Sequence, residues 1–228
     1  MKILIVAATA FEIRPITDKL PLLSRENEFL STHLFKHAIV DILIPGVGMT
    51  HTAFHLGRQL SLQNYQVAIN AGIAGAYDRR LKLGTVIHVT EDCISEMGAE
   101  DTGRFLTFFD LGLMDPEAFP YSGGRLVNDH YPRLETLKRI PPVKGNTVNH
   151  IHATPESIAR IRTTFPADVE TLEGAAFLYG CLLEKVPCLQ IRSISNHVEE
   201  RDKTRWNVEL ALKNLNKTLE LIFNELVI

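Results

Sequence analysis

Two polar residues in the last third of the chain are spaced so that they could act together. Glu173 precedes a small-residue helical segment at 174–176, and Asn196 follows an apolar run typical of a buried strand. A helix followed by such a strand brings both residues to one rim of an α/β sheet, where small-molecule crevices usually form. The spacing therefore predicts a binding site that contains both side chains.

A second carboxylate, Glu12, lies near the start of the chain. It follows the apolar run at 2–6, so we expect it at the carboxyl end of the first strand, where catalytic groups are commonly placed. A carboxylate in the first turn of a helix is also favoured by the helix dipole. A capping charge is therefore the alternative interpretation for both Glu12 and Glu173.

Two glycine clusters accompany these residues. Gly46 and Gly48 indicate either a turn that faces an anion or a sugar, or an ordinary βα turn with positive φ. The second cluster is NAGIAG at 70–75, where small residues flank Ile73 and let the backbone approach a ligand closely. The first strand is followed by AATAFE and not by the dinucleotide fingerprint GxGxxG, so NAD binding is disfavoured and no cofactor is expected.

Composition narrows the class of protein. A chain of 228 residues that is 45% hydrophobic favours one domain over residues 1–228, and a net charge of -3 disfavours nucleic acid as a partner. No apolar stretch approaches the ~20 residues of a membrane helix, and the first segment has no cleavage site, so a cytoplasmic protein is expected. The three cysteines lack CxxC spacing and are interpreted as packing residues.

Alternating β and α patterns predict an α/β fold with a mixed, mostly parallel twisted sheet and helices on both faces. The predicted strands are 2–6, 39–44, 67–69, 83–89 and 147–151, and the predicted helices are 11–20, 50–61, 155–165 and 206–226. Pro15 is expected in a first helical turn, Thr154 as a helix cap, and residues 98–125 as an irregular lid or interface arm. The charged run at 197–205 is expected to form a loop over the site.

His150 and His152 alternate in the way that two residues on one strand face do. They could form a metal pair, but no third ligand lies at the spacing of a metal site. Polar contacts or a substrate role are therefore favoured, and no metal is expected.

Four segments in order resemble the nucleoside phosphorylase and nucleosidase superfamily. They are MKILIVAATAFEI, PGVGMTHTA, NAGIAGAYDRRLKLGTVIHV, and LEGAAF followed by IRSISN. The detail is most similar to the futalosine hydrolase family, whose members release hypoxanthine from futalosine with water in the alternative menaquinone pathway. The resemblance implies that Glu12 is the general base, that Glu173 binds the ribose hydroxyls, and that the nucleoside is further contacted by Leu172, Ile73, Ala74 and Gly75.

Asn196 departs from the pattern of the 6-aminopurine nucleosidases. The resemblance implies that these enzymes have an aspartate at the position of Asn196. A carboxamide has two N–H donors and one acceptor, so it can donate to O6 of hypoxanthine and accept from a protonated N7. The 6-amino group of adenine would face the amide donor, at a cost of ~1–3 kcal/mol. Asn196 therefore indicates a catalytic contact with a 6-oxopurine.

The resemblance leaves alternatives open. Phosphorylases of the superfamily bring arginines to a phosphate, and Arg14 is the only candidate near the first loop, so hydrolysis is favoured over phosphorolysis. A methylthioadenosine or aminodeoxyfutalosine nucleosidase and a non-catalytic nucleoside-binding module remain competitors. The family implies a homodimer or larger homo-oligomer, and the partners of a substrate carboxylate could be Arg104, Arg125 or Lys144.

Overall fold

The computed structural model describes residues 1–200 and 202–227 of the chain. The strands are β1 (Lys2–Val6), β2 (Leu22–Arg25), β3 (Leu30–Phe35), β4 (Ala38–Leu43), β5 (Val67–Ala76), β6 (Val86–Asp92), β7 (Gly98–Asp101), β8 (Arg104–Thr107), β9 (Tyr121–Ser122), β10 (Arg125–Val127), β11 (Pro142–Thr147), β12 (Val169–Thr171) and β13 (Cys188–His197). The helices are α1 (Ala10–Thr17), α2 (Met49–Leu62), α3 (Pro155–Thr164), α4 (Gly174–Leu183) and α5 (Val208–Leu226).

Parallel strands form the centre of an 11-stranded mixed sheet. β1 pairs in parallel with β4 on one side and β5 on the other, and β5 pairs in parallel with β13. Antiparallel pairs join β2 to β3, β3 to β4, β12 to β5, β13 to β6, and β6 through β10 to β9. The carboxyl ends of β1, β5 and β13 therefore meet at one edge.

Helices cover both faces of the sheet because successive side chains of each strand point in opposite directions. In β1, Ile3 and Ile5 pack on the face covered by α1 and α5, whereas Leu4 and Val6 pack on the face covered by α2 and α4. All three cysteines are free and buried, as expected for packing residues. The predicted α/β architecture is confirmed.

Several predicted strand bounds were wrong. The glycine cluster at 70–75 belongs to β5 instead of a loop, because β13 pairs with this stretch and compensates for its weak strand propensity. The strand predicted at 147–151 lies at Pro142–Thr147, which leaves His150 and His152 in a loop. The strand predicted at 83–89 starts at Val86, because Gly84 takes a positive φ of 80° in the preceding turn.

The helices show smaller differences. α1 begins at Ala10, so Pro15 lies in its second turn and not in its first. Thr154 caps α3 as predicted, since its side chain accepts from the Ser157 N–H at 3.2 Å.

The segment 98–125 is more regular than its sequence indicates. β7 and β8 form a separate two-stranded hairpin within it, and β9 continues into a second hairpin with β10. Of the charged run at 197–205, His197 belongs to β13, Glu199 forms an ion pair with Arg79 at 2.7 Å, and Arg201 lies outside the described residues. None of the helices within residues 1–200 and 202–227 is long and apolar enough to cross a membrane.

Gly174 opens α4 where no side chain fits. A Cβ at this position would overlap the Gln190 amide and the Asp92 carboxylate, both of which are buried. We expect Gly174→Ala to lower the free energy of unfolding by ~1–3 kcal/mol, as overpacking does. Gly57→Ala is the matched control, because Gly57 lies in α2 with nothing within 4 Å of its Cβ position. Denaturant unfolding should show the control gaining ~1 kcal/mol, and equal effects of the two changes would contradict the overlap.

Candidate active site

A pocket of about 300 Å³ opens at the edge where β1, β5 and β13 end. Its walls are mainly apolar, with Phe11, Val47, Ile151 and Trp206 among them. The structure brings every predicted site residue to this one pocket: Glu12, Ile73, Ala74, Gly75, Leu172, Glu173 and Asn196. An apolar cavity with a few convergent polar groups is the usual form of a small-molecule site.

Glu12 is buried in the first turn of α1, with 8% of its surface exposed. The Thr9 N–H donates to Oε2 at 3.1 Å, and the Ile73 N–H donates to Oε1 at 3.1 Å. The capping contact to Thr9 is therefore real, but the contact to β5 also fixes the carboxylate in the pocket. A helix cap alone does not require this burial.

Glu173 stands at the N-cap of α4 and is 5% exposed. Its Oε1 accepts from the Gly48 N–H at 3.0 Å. Gly46 and Gly48 both have a φ of 101°, so the turn needs glycine and turns a backbone N–H towards this carboxylate. The positive φ values agree with the interpretation as a βα turn, and the anion that the turn faces is the side chain of Glu173.

Arg192 is the polar residue that the sequence reasoning missed. It lies in β13, is fully buried, and donates through Nη2 to the Asn70 side-chain oxygen. Its Nη2 is 3.8 Å from Oε2 of Glu173. Its Nε and Nη1 have no hydrogen-bond partner among residues 1–200 and 202–227, so the guanidinium keeps free donors beside the site.

Gly72 leaves room for the approach of Arg192 to Glu12. It is the register partner of Arg192 on β5. A Cβ at position 72 would collide with Nη1 of Arg192 and would lie 2.7 Å from Oε1 of Glu12. The absent side chain therefore leaves room beside β5 for both the guanidinium of Arg192 and the carboxylate of Glu12.

Burial raises the pKa of the Glu12 carboxyl above its ordinary value of 4.5. The charge of Arg192 and the Ile73 N–H lower this pKa, and the charge of Glu173 raises it, but burial is the largest effect. A carboxylate with a raised pKa is a stronger proton acceptor near neutral pH. The environment of Glu12 is thus that of a general base.

A pH dependence follows from this shift. Because a base must be ionised, we expect the kcat/KM of a nucleoside substrate to fall on the acid side at a pH above 4.5. The raised pKa moves this limb upwards, since a larger fraction of Glu12 is protonated at any given acidic pH. Initial rates measured across the acid range test the prediction, and constant kcat/KM down to pH 4.5 would contradict it.

Asn196 lies across the pocket, at a register shift in β13, and is half-buried. Its Oδ1 accepts from the Ser195 hydroxyl at 2.7 Å, and its Nδ2 donates to the His197 carbonyl at 3.1 Å. The amide has two N–H groups and two lone pairs on its oxygen. One donor and one acceptor position therefore remain for a ligand.

Other charged residues considered from the sequence lie elsewhere. Arg14 lines a different cavity, next to Arg25. Arg125 forms an ion pair with Glu91, and Lys144 contacts the same carboxylate at 2.9 Å. None of these cations, nor Arg104, lines the pocket.

Glu170 is a further polar residue of the pocket wall that was not anticipated. It is buried at the middle position of β12. Its Oε2 accepts from the Tyr77 hydroxyl at 2.5 Å and is 3.2 Å from Nδ1 of His152. The sequence signal for Glu170 is limited to its place as a carboxylate within the short strand VET, which precedes Glu173.

Comparisons with known proteins place the chain among nucleoside-cleaving enzymes and their relatives. The family model of the phosphorylase superfamily matches residues 2–227. A futalosine hydrolase of Thermus thermophilus is 28% identical over 183 residues, covering 79% of each chain. A 5'-methylthioadenosine/S-adenosylhomocysteine nucleosidase of Colwellia psychrerythraea is 27% identical over 241 aligned positions, covering 99% of this chain and 96% of that one.

Solved structures of nucleosidases have a similar fold. The structure of a futalosine hydrolase from Helicobacter pylori superposes with a TM-score of 0.78 at 18% identity, covering 99% of this chain and 98% of the other. The resemblance to nucleosidases is confirmed, and the predicted enzyme class of N-glycosyl hydrolase agrees with these relatives. The match along nearly the whole chain, together with the shared fold, shows that this protein belongs to the phosphorylase superfamily.

Proposed function

We propose that this protein hydrolyses the N-glycosidic bond of futalosine and releases hypoxanthine, a reaction of menaquinone biosynthesis. The observation that carries the proposal is the placement of Glu12 and Glu173 around Arg192, with Asn196 across the same pocket. A base, a sugar-binding carboxylate and a leaving-group contact are the parts that such a reaction needs. Relatives named as futalosine hydrolases give further support.

Glu12 is the general base in this scheme. The C1′–N9 bond breaks first, its electron pair leaves with the purine, and the sugar gains oxocarbenium character. Water held by Glu12 then attacks C1′ and gives a proton to the carboxylate, a role usually worth ~10²–10⁴-fold in rate. Glu173 binds the ribose hydroxyls and so fixes C1′ relative to the water.

Asn196 contacts the departing purine. Its remaining N–H donates to O6 as negative charge builds up on hypoxanthine, and its oxygen accepts from a protonated N7. The amide supplies no proton, so the proton that the leaving purine gains comes from solvent. Asn196 contributes a preorganised dipole to this step.

Water is favoured over phosphate by the charges of the site. A phosphate at C1′ would lie beside two buried carboxylates, Glu12 and Glu173, and within residues 1–200 and 202–227 Arg192 is the one cation in contact with them. The negative charges of these two carboxylates would repel an anionic nucleophile such as phosphate. The test is purine release from a nucleoside with and without phosphate, followed by 31P NMR. Phosphate-independent release supports hydrolysis, and a sugar phosphate product would refute it.

Asn196→Asp tests the assignment of the leaving group. An aspartate can present a proton acceptor to the 6-amino group and an acidic proton to N7, both of which favour adenine. We expect the ratio of kcat/KM for futalosine to that for 5'-methylthioadenosine to fall by on the order of 10–10²-fold, the equivalent of ~1–3 kcal/mol. An unchanged ratio would show that Asn196 does not read the 6-position.

A 6-aminopurine nucleosidase is the second candidate. The relative from Colwellia psychrerythraea, a 5'-methylthioadenosine/S-adenosylhomocysteine nucleosidase, aligns along nearly the whole chain and favours it. A wild-type protein that already cleaved 6-amino substrates faster than 6-oxo ones would support this candidate. A non-catalytic binding module would bind nucleosides equally well without Glu12 and show no turnover. The cytoplasmic location and the homo-oligomer stay predictions.

A further inference from the structure

Three metal-ligating side chains converge outside the nucleoside pocket. Oε1 of Glu96 lies 3.0 Å from Nδ1 of His150 and 3.2 Å from Nε2 of His152. One donor atom from each residue can be chosen so that all three lie within 4.8 Å of one another. No third ligand for the histidine pair is evident from spacing along the chain, because Glu96 is more than fifty residues away.

The spacing of these atoms suits a small tetrahedral ion. Zinc bonds of about 2.0–2.2 Å in a tetrahedral site place neighbouring ligand atoms about 3.3 Å apart. The two separations from Glu96 are close to that value. A cavity of about 190 Å³ adjoins the cluster, between Phe105 and Arg160, and leaves space for a fourth ligand.

The contacts around His152 leave a position that needs a cation. This ring is 3% exposed, and its Nδ1 faces Oε2 of Glu170 at 3.2 Å. A neutral imidazole has one N–H. If Nδ1 donates to Glu170, the lone pair of Nε2 points at the carboxylate of Glu96, and two acceptors face each other. A metal ion between them removes this conflict.

The outer contacts are those of an oriented metal site. The second oxygen of Glu96 accepts from the Asn149 N–H at 3.0 Å, which fixes the carboxylate. Glu170 also accepts from the Tyr77 hydroxyl, so the partner of His152 is itself held. Histidine ligands of metals usually donate their other N–H to a carboxylate in this way.

We propose that Glu96, His150 and His152 bind one Zn²⁺ ion, with a fourth position open to the adjoining cavity. Two imidazoles and one carboxylate are the donor set that zinc takes in sites with an open position. The ion ties the loop before α3 to the loop before β7. Ile151, between the two histidines, lines the nucleoside pocket, so the bound ion fixes one wall of that pocket.

Zinc titration of untagged, chelator-treated protein by calorimetry tests the proposal. We expect one equivalent to bind, and His150→Ala or Glu96→Gln to weaken binding by at least ~100-fold, more than the ~10–100-fold typical of outer contacts. His150 is 62% exposed at its side chain, so its removal should not impair folding. His130→Ala is the matched control, because His130 is an exposed histidine outside the cluster.

Thermal unfolding in the presence of zinc is a second measurement, which distinguishes a zinc site from a hydrogen-bond network. Zinc should raise the thermal unfolding midpoint of the wild type and of His130→Ala, and leave that of His150→Ala unchanged. Failure to bind one equivalent, or equal binding by His150→Ala and the wild type, would overturn the proposal. In that case the cluster is a hydrogen-bond network.

Discussion

Glu12→Gln is expected to lower the kcat for nucleoside hydrolysis by ~10²–10⁴-fold while nucleoside affinity is kept. The amide is nearly isosteric, and its single oxygen can keep one of the two backbone contacts that Thr9 and Ile73 make with the separate carboxylate oxygens. What is lost is the proton acceptor, because an amide does not take a proton from water. Single-turnover rates and the equilibrium affinity of an unreactive nucleoside analogue should be measured together.

A first-turn carboxylate elsewhere in the chain is the control for this change. Glu209 lies in the first turn of α5 and is exposed, so Glu209→Gln alters a helix-dipole contact without touching the pocket. We expect it to keep full activity. If Glu12→Gln reduced the rate no more than Glu209→Gln does, Glu12 would be only a helix cap.

Arg192→Met is expected to reduce both stability and activity. It removes a fully buried cation beside two buried carboxylates, and breaking a buried ion pair costs ~3–5 kcal/mol. The charge of Arg192 also lowers the pKa of Glu12, so without it that pKa rises further. The acid limb of kcat/KM should therefore move to higher pH, which a purely structural role would not cause.

Arg14→Met is the matched control, because Arg14 is exposed and borders a different cavity. Denaturant unfolding and pH–rate profiles of both variants separate the two effects. A folded Arg192→Met protein with the acid limb of the wild type would contradict the electrostatic coupling of Arg192 to Glu12.

The positions of Glu12, Glu173 and Asn196 could be predicted because each lies at, or a few residues beyond, the carboxyl end of a strand. Carboxyl ends of parallel strands meet at one edge, so polar residues directly after buried strands converge there. The α/β class followed from the same alternation of apolar strands and helices. The residues at 73–75 and Leu172 required the resemblance, since small and apolar side chains carry no chemical signal of their own.

Arg192 was missed although its sequence carried a signal. It stands inside the apolar run CLQIRSIS, and an arginine in a buried strand must be paired. Its partners are Asn70 on β5 and Glu173 before α4, which the fold alone brings beside it, so no local pattern identifies them. Glu96 was not identified from the sequence for the same reason, because only the fold places it beside the two histidines.

Strand bounds failed where pairing outweighs local propensity. The glycines and alanines of 70–75 predict a loop, but ladders to β13 and β12 hold them in β5. The strands of the hairpins within 98–125 show little alternation of apolar and polar residues, and β7 is exposed along its whole length. A period-2 pattern arises only when one face of a strand is buried.

Cleavage of a 6-oxopurine nucleoside with water can be tested by comparing two rates in phosphate-free buffer: hypoxanthine release from futalosine and adenine release from 5'-methylthioadenosine. We expect release without phosphate and a kcat/KM for futalosine that is higher by on the order of 10–10²-fold. Faster release of adenine, or release of hypoxanthine only after phosphate is added, would contradict it.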